Sequence, residues 1–245
     1  MDAIRTASGK LYPGCSTATS LNLTYRVGRI AEHLSGAWLD YGCADGSYSE
    51  ALLAYGASSV VGVDVEADRI EEAKAKEIPN ATFLSFGGSR VDLPDEVFDG
   101  AFTNEVMEHV DDEQESLGDI YRLMKPGGTL VVISPNRWFP FEGHGTRMFG
   151  RYIPPTPLIP WLPVRLTNRW TYARNYWPRQ LAGHVKRAGF TVTETGFIWP
   201  VLQNYPWLPA FLIPTYQRWL PRIDDLPVLR RFGVSNLVIA TKPAR

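Results

Sequence analysis

Apolar positions along the chain alternate between two rhythms. Leu21, Leu23, Val27, Ile30 and Leu34 recur at helical spacing, so the periodicity predicts a helix over 20–34. Trp38–Tyr41, Ser59–Val65, Ala81–Phe86, Phe98–Thr103 and Thr129–Ser134 are short runs rich in β-branched and aromatic residues, and each reads as a strand. Between them lie helical patterns at Ser47–Ala54, Ala67–Glu77, Glu105–Val110 and Asp112–Met124. Pro79 stops one helix, and Lys125-Pro126-Gly127-Gly128 stops another. A further helix over Pro178–Ala188 and strands at Phe190–Phe197 and Asn236–Thr241 complete the series. Strands alternating with helices at this spacing predict an α/β fold with a doubly wound, seven-stranded, mainly parallel sheet.

Two stretches break the alternation, 136–174 and 199–232. They hold most of the prolines and tryptophans: fifteen of 19 prolines and all but one of eight tryptophans lie beyond residue 130. Proline prevents long regular helices there. The expectation is one domain over 1–245, with these two insertions forming an aromatic, proline-rich cap or lid over the substrate. The length suits one such domain. A net charge of −1 gives no global basic field and argues against nucleic acid as partner. Two cysteines, Cys15 and Cys43, are too few for a disulfide framework and suit a reducing, cytoplasmic setting. Neither a signal peptide nor a transmembrane run is visible.

The most informative segment is Leu39-Asp40-Tyr41-Gly42-Cys43-Ala44-Asp45-Gly46, a strand entering a glycine turn and a helix. Gly42 and Gly46 allow positive φ and close approach of a ligand to the backbone. Asp64 closes the next strand, about 20 residues on, where a carboxylate can accept both hydroxyls of a ribose. The spacing G-x-x-x-G differs from the dinucleotide fingerprint G-x-G-x-x-G, and acids at Asp40 and Asp45 suit a cationic ligand better than a diphosphate. With these residues, the chain resembles the class I S-adenosylmethionine-dependent methyltransferases, whose first motif commonly reads D-x-G-x-G-x-G. Asp40, Gly42 and Gly46 match it, and Ala44 replaces the middle glycine. The resemblance runs from about Trp38 to Ser134. It implies S-adenosylmethionine as cofactor, Asp64 as its ribose ligand, Ser89 or Arg90 near the adenine, and Asn104 near the methionine end.

Glu105, Glu108 and His109 stand at i, i+3 and i+4, which would place them on one face of the expected helix at the carboxyl ends of the strands. His144 follows the fifth strand within Glu142-Gly143-His144-Gly145. Such a Glu-x-x-Glu-His helix resembles the ubiquinone-biosynthesis O-methyltransferases and the small-RNA 2′-O-methyltransferases. That resemblance implies Glu105, Glu108, His109 and His144 as ligands of a divalent metal that grips paired oxygens. Without a metal, His144 or His109 is the candidate general base, with Glu142 orienting His144.

Arg147, Arg151, Arg165, Arg169, Arg174, Arg218 and Arg222 interleave with the aromatics of the insertions. They suit either a packed cap with surface ion pairs or an apolar pocket with a cationic rim. The second alternative favours a small-molecule or lipid-linked acceptor, such as a phenol or catechol, a lipid-linked sugar or a polyketide. Such segments also suit peripheral contact with a bilayer. The expected reaction is methyl transfer to a hydroxyl. A cofactor-binding scaffold without activity and an RNA 2′-O-methyltransferase are the rival readings.

Overall fold

The computed structural model describes residues 17–141, 146–148, 151–153, 157–163, 173–199 and 226–244, with single positions between 165 and 171 and between 211 and 222. Helix α1 (Thr17–Gly28) leads into strand β1 (Ala37–Tyr41). There follow α2 (Ser47–Ala54), β2 (Ser59–Asp64), α3 (Ala67–Ala75), β3 (Ala81–Ser85), β4 (Phe98–Asn104), α4 (Glu113–Leu123) and β5 (Met124–Pro135). A small hairpin of β6 (Thr146–Met148) and β7 (Arg151–Ile153) precedes α5 (Pro178–Arg187), β8 (Thr191–Ile198) and β9 (Ser235–Thr241). The main sheet has seven strands in the order β3-β2-β1-β4-β5-β9-β8. Pairing is parallel from β3 to β5, and β9 runs antiparallel to both β5 and β8.

The strand residues alternate between two cores, as the two-residue period of a strand requires. Leu130 and Val132 of β5, with Val238 and Ala240 of β9, face α4 and α5. Val131 and Ile133, with Leu237 and Ile239, face α1 and α2 on the other side. Both faces are covered, which explains why β5 reads as a continuous apolar run rather than an alternating one. The α4 start is fixed by Asp112, whose carboxylate accepts the amides of Gln114 (2.7 Å) and Glu115 (3.2 Å). From α4, Arg122 donates to the carbonyls of Val91 and Leu93, and Asp119 accepts the Val91 amide at 2.8 Å. These bonds pin the crossover between β3 and β4.

The expected helix over 105–110 does not form. Glu105 takes a left-handed φ of 55°, and the segment runs as turns. Its carbonyls are claimed from outside: Tyr176 Oη donates to Met107 O at 2.7 Å, and Arg174 donates to the carbonyls of Met107 and Val110. Those carbonyls belong to what would be the last turn and have no partner within a helix of that span, so the departure from helix lies in the left-handed Glu105, whose carboxylate is held by Arg26 and Ser235. The strand β5 begins at Met124, but its pairing with β4 shifts from Phe98↔Met124 to Gly100↔Thr129, so Lys125–Gly128 bulges out where the turn was expected, with Gly127 at φ 82°.

Gly100 of β4 lies against Trp38, whose ring is fully buried; a Cβ there would fall 2.4 Å from the ring. Trp38 cannot yield, since its Nε1 donates to Ser35 O at 2.9 Å. Gly100→Ala is expected to lower stability by about 1–3 kcal/mol. Gly118→Ala, at an exposed position of α4 with open space where the Cβ would go, should instead be neutral or stabilising by up to about 1 kcal/mol. Urea unfolding of both variants checks the contrast; equal midpoints would contradict it.

Candidate active site

At the end of β1 the chain turns sharply. The amides of Gly42 and Cys43 both donate to Val63 O, at 2.8 and 3.0 Å, and Gly46 N donates to Cys43 O at 2.9 Å. Gly42 has φ 82°, and a Cβ on it would meet Val106 at 2.2 Å, so glycine is required twice over. Ala44 is also left-handed, at φ 45°, a strain of about 1–2 kcal/mol for a residue with a side chain. Its amide is held by Asp64, whose Oδ2 accepts at 2.8 Å while Oδ1 accepts the Glu66 amide at 2.9 Å. Asp64 therefore braces the loop from the tip of β2. Asp45 accepts from Ser47 and from Lys76 Nζ (2.7 Å). Partial burial works against its charge, but those bonds hold its pKa below the usual carboxylate value.

Asp40 sits beneath this loop. It is buried, and its carboxylate accepts from Ser49 Oγ at 2.6 Å. Burial raises its pKa to about 7; the Ser49 bond opposes the rise, and the charges of Asp64 and Asp45 add to it.

The opposite wall is the turn after β4. Glu105 is paired with Arg26 of α1 at 2.7 Å and accepts from Ser235 Oγ of β9 at 2.5 Å. Arg26 also donates to Asn104 Oδ1 at 2.6 Å. Burial alone would raise the Glu105 pKa, but the Arg26 guanidinium holds it low. Glu108, almost fully buried beside Glu105 and Ser134, makes no side-chain hydrogen bond of ordinary geometry. Burial first, and the neighbouring Glu105 charge second, push its pKa well above the usual carboxylate range.

Between the two walls lies a cavity of about 1110 Å³, at the carboxyl ends of β1, β2 and β4. Gly42, Ala44, Asp64, Ser89, Asn104, Glu105 and His109 reach it together. Phe86, packed edge-on against Tyr41 at 5.4 Å, forms an apolar side. Seven carboxylate residues line it against a single arginine, Arg69, so its field attracts cations and repels a pyrophosphate.

Comparison with known proteins gives the same answer. Residues 39–132 match the family model described as a methyltransferase domain. An uncharacterised methyltransferase of Mycobacterium leprae (strain TN) is 28% identical over 222 residues, covering 89% of this chain and 73% of that protein. A ubiquinone biosynthesis O-methyltransferase of Rhodopseudomonas palustris (strain BisB5) is 33% identical over 160 residues, 64% of this chain. The chain spans 58% of that relative's length. Among solved structures, an S-adenosylmethionine-dependent methyltransferase from Mesorhizobium loti superposes with a TM-score of 0.60 at 17% identity, over 89% of this chain and 97% of that one. The chain belongs to the S-adenosylmethionine-dependent methyltransferases.

The methyltransferase loop fits that cofactor. Gly42 lies on the cavity wall, Asp64 stands where β2 ends, and the acidic lining suits a sulfonium and an ammonium. Not every expected residue faces the cavity. Asp40 and Gly46 shape the loop from below and behind, and Gly46 caps α2 in a left-handed turn. Arg90 points out to solvent, 3.9 Å from Asp95. His144 and Glu142 lie outside the described residues, so the expected base and its orienting partner there have no described geometry. The expected metal set is not assembled. Among the described residues no three His, Cys, Asp or Glu side chains converge as ligands. The physical reason is the missing helix: in the turn, Glu105 is committed to Arg26 and Ser235, and Glu108 is buried.

Sequence reasoning missed Arg26, Ser235 and Tyr48, and read Arg174 only as one of the arginines of a cap or cationic rim. Arg26 could have been found, since it falls on the apolar stripe of α1 between Leu23 and Val27, and a cation there demands a buried partner. Tyr48, on the cavity wall, and Ser235 carry no comparable signal.

The buried Asp40 gives a pH prediction. Its native pKa lies above the unfolded value near 3.8, so the unfolded chain releases this proton first. Stability is thus lost as pH rises from about 4 to about 7, by up to about 4 kcal/mol. Asp40→Asn keeps an acceptor for Ser49 without the charge. Its thermal midpoint, measured without cofactor, should exceed the parent's at pH 8 and match it near pH 4. An equal change at both pH values would contradict this assignment.

Proposed function

We propose that this methyltransferase methylates a hydroxyl on a small, amphiphilic acceptor of the phenol or catechol kind, and that His109 receives the hydroxyl proton. The observation that carries the reading is the place of His109: a histidine on the wall of the acid-lined cavity, in a turn whose carbonyls Arg174 and Tyr176 hold still. The similarity to ubiquinone biosynthesis O-methyltransferases supports oxygen as the nucleophile and a phenolic ring as its bearer. A lipid-linked sugar or a polyketide hydroxyl would offer the same chemistry.

When bound, S-adenosylmethionine supplies a methyl group made electrophilic by the sulfonium. The chain's own residues do the rest. Gly42 and Ala44 present backbone to the ligand, and Asp64 is the ribose acceptor. Asn104 stands at the methionine end. The ion pair of Glu105 with Arg26 keeps that wall rigid. His109 suits proton removal because an imidazole titrates near working pH. Placement of the hydroxyl in line with the departing bond would supply much of the acceleration.

Two variants test this. His109→Ala should lower kcat by about 10²–10⁴-fold, with little change in cofactor affinity. Asp64→Ala should weaken cofactor binding at least about tenfold by calorimetry, consistent with lost charge-assisted hydrogen bonds, while the circular dichroism stays native. Acceptors would be screened with isotope-labelled cofactor across matched phenols, catechols and anilines. Transfer to anilines but not phenols, or an unchanged kcat in His109→Ala, would overturn the proposal.

A further inference from the structure

The near-zero net charge conceals a separation. Residues 137–233 carry thirteen Arg and Lys against four Asp and Glu, whereas the remainder of the chain carries twelve against twenty-two. Exposed apolar side chains follow the basic segment. Of the eleven large hydrophobic residues that are exposed among those described, ten lie between 138 and 229. The exception, Val65, lines the cofactor cavity.

Several of these residues form one continuous surface. The Trp138 ring packs edge-on against Trp177 at 5.0 Å and against Phe232 at 6.3 Å. Val228, 67% exposed, and Leu229 lead into the short 3₁₀ turn that ends at Phe232. Arg137 stacks on Trp177 at 5.3 Å and donates to Leu162 O, which attaches the turn bearing Leu158 and Trp161 to the same rings. Leu158 is 55% and Trp161 45% exposed. Arg165, Arg179, Arg230 and Arg231 are exposed in the same segments, and among the described residues none of them has an ion-pair partner.

We propose that this surface docks the methyltransferase on an anionic lipid bilayer, with Trp138, Leu158, Trp161 and Val228 entering the interface and the arginines facing the headgroups. Exposed tryptophan and leucine beside arginine suit the boundary between headgroup and acyl chain, where apolar bodies are buried and cations remain wet. The charge separation orients the molecule: the basic segment is drawn to an anionic surface while the acidic remainder is repelled. Contact would be peripheral, since no helix among the described residues is long and apolar enough to cross a membrane. The segment 174–177 touches both regions. Arg174 holds the cavity turn, and Trp177 belongs to the docking surface. Docking would therefore bring the acceptor cavity close to the bilayer.

Flotation of the full chain with vesicles tests this without reference to methyl transfer. Phosphatidylcholine vesicles containing phosphatidylglycerol should carry the protein upward, pure phosphatidylcholine should carry much less, and high salt should release it. Seven of the eight tryptophans lie in 137–233, so brominated acyl chains should quench most of the tryptophan emission. Arg230→Glu with Arg231→Glu, and separately Trp161→Ser, should each weaken vesicle binding at least tenfold while cofactor binding by calorimetry stays unchanged. No flotation with anionic vesicles, or equal flotation with neutral ones, would overturn the proposal. So would binding of single-stranded RNA, or self-association in sedimentation, that is abolished by these same variants while vesicles are ignored.

Discussion

The site depends on one buried ion pair. Arg26 lies in the apolar face of α1, and burial works against its charge; the carboxylate of Glu105 more than offsets this and holds the guanidinium pKa above its ordinary value. A cation enclosed in this way needs its partner. Removing one member of such a pair costs about 3–5 kcal/mol, because the other is left charged in a dry place. The pair also joins parts distant in sequence. Arg26 bonds to Asn104 and Glu105 after β4 and to Ser235 at the start of β9, and Ser235 returns a bond to Glu105. Helix α1 is thereby fixed over the carboxyl ends of the strands, which brings Asn22 and Leu23 to the cavity wall.

Both walls of the cavity are built from strained backbone. Ala44 and Glu105 each hold a left-handed conformation that side chains seldom adopt. Each is compensated at once: the amide of Ala44 by Asp64, the carboxylate of Glu105 by Arg26. Strain of this kind persists where surrounding contacts over-determine it, and it gathers at sites that must present backbone to a ligand. The acids then divide by environment. Asp45, tied to Lys76, stays ionised, Asp40 titrates near neutrality, and burial pushes the Glu108 carboxyl well up. The cavity keeps a negative field without a continuous ring of repelling charges.

Much of this was legible in the sequence, for identifiable reasons. Strands buried on both faces announce themselves as apolar runs, and the loop from Asp40 to Gly46 followed by Asp64 is local chemistry with a fixed spacing. Both survived into the structure, with seven strands and Asp64 bracing Ala44. The turn at 105–110 was read as a helix because Glu105, Glu108 and His109 fit helical spacing. What decides its shape is tertiary: Glu105 is held in a left-handed conformation with its carboxylate claimed by Arg26 and Ser235, both distant in sequence. Spacing within a segment cannot report such a competitor. The metal ligands expected on that face do not converge among the described residues, and His144 lies outside them.

The two halves of the chain have been divided by composition, yet they are not independent in space. The acidic half builds the cofactor loop on strands and helices of ordinary regularity. The basic half holds most of the prolines and tryptophans, and it supplies through Arg174 and Tyr176 the clamps on the turn that bears His109. Tyr176 is itself buried, and its hydroxyl bridges Met107 O and Glu113, so its position is set by the core rather than by solvent. One residue on, Trp177 meets Trp138 at the surface. A displacement of that surface would therefore travel through a rigid dipeptide to the turn that bears His109. This gives the docking surface a physical route to the chemistry.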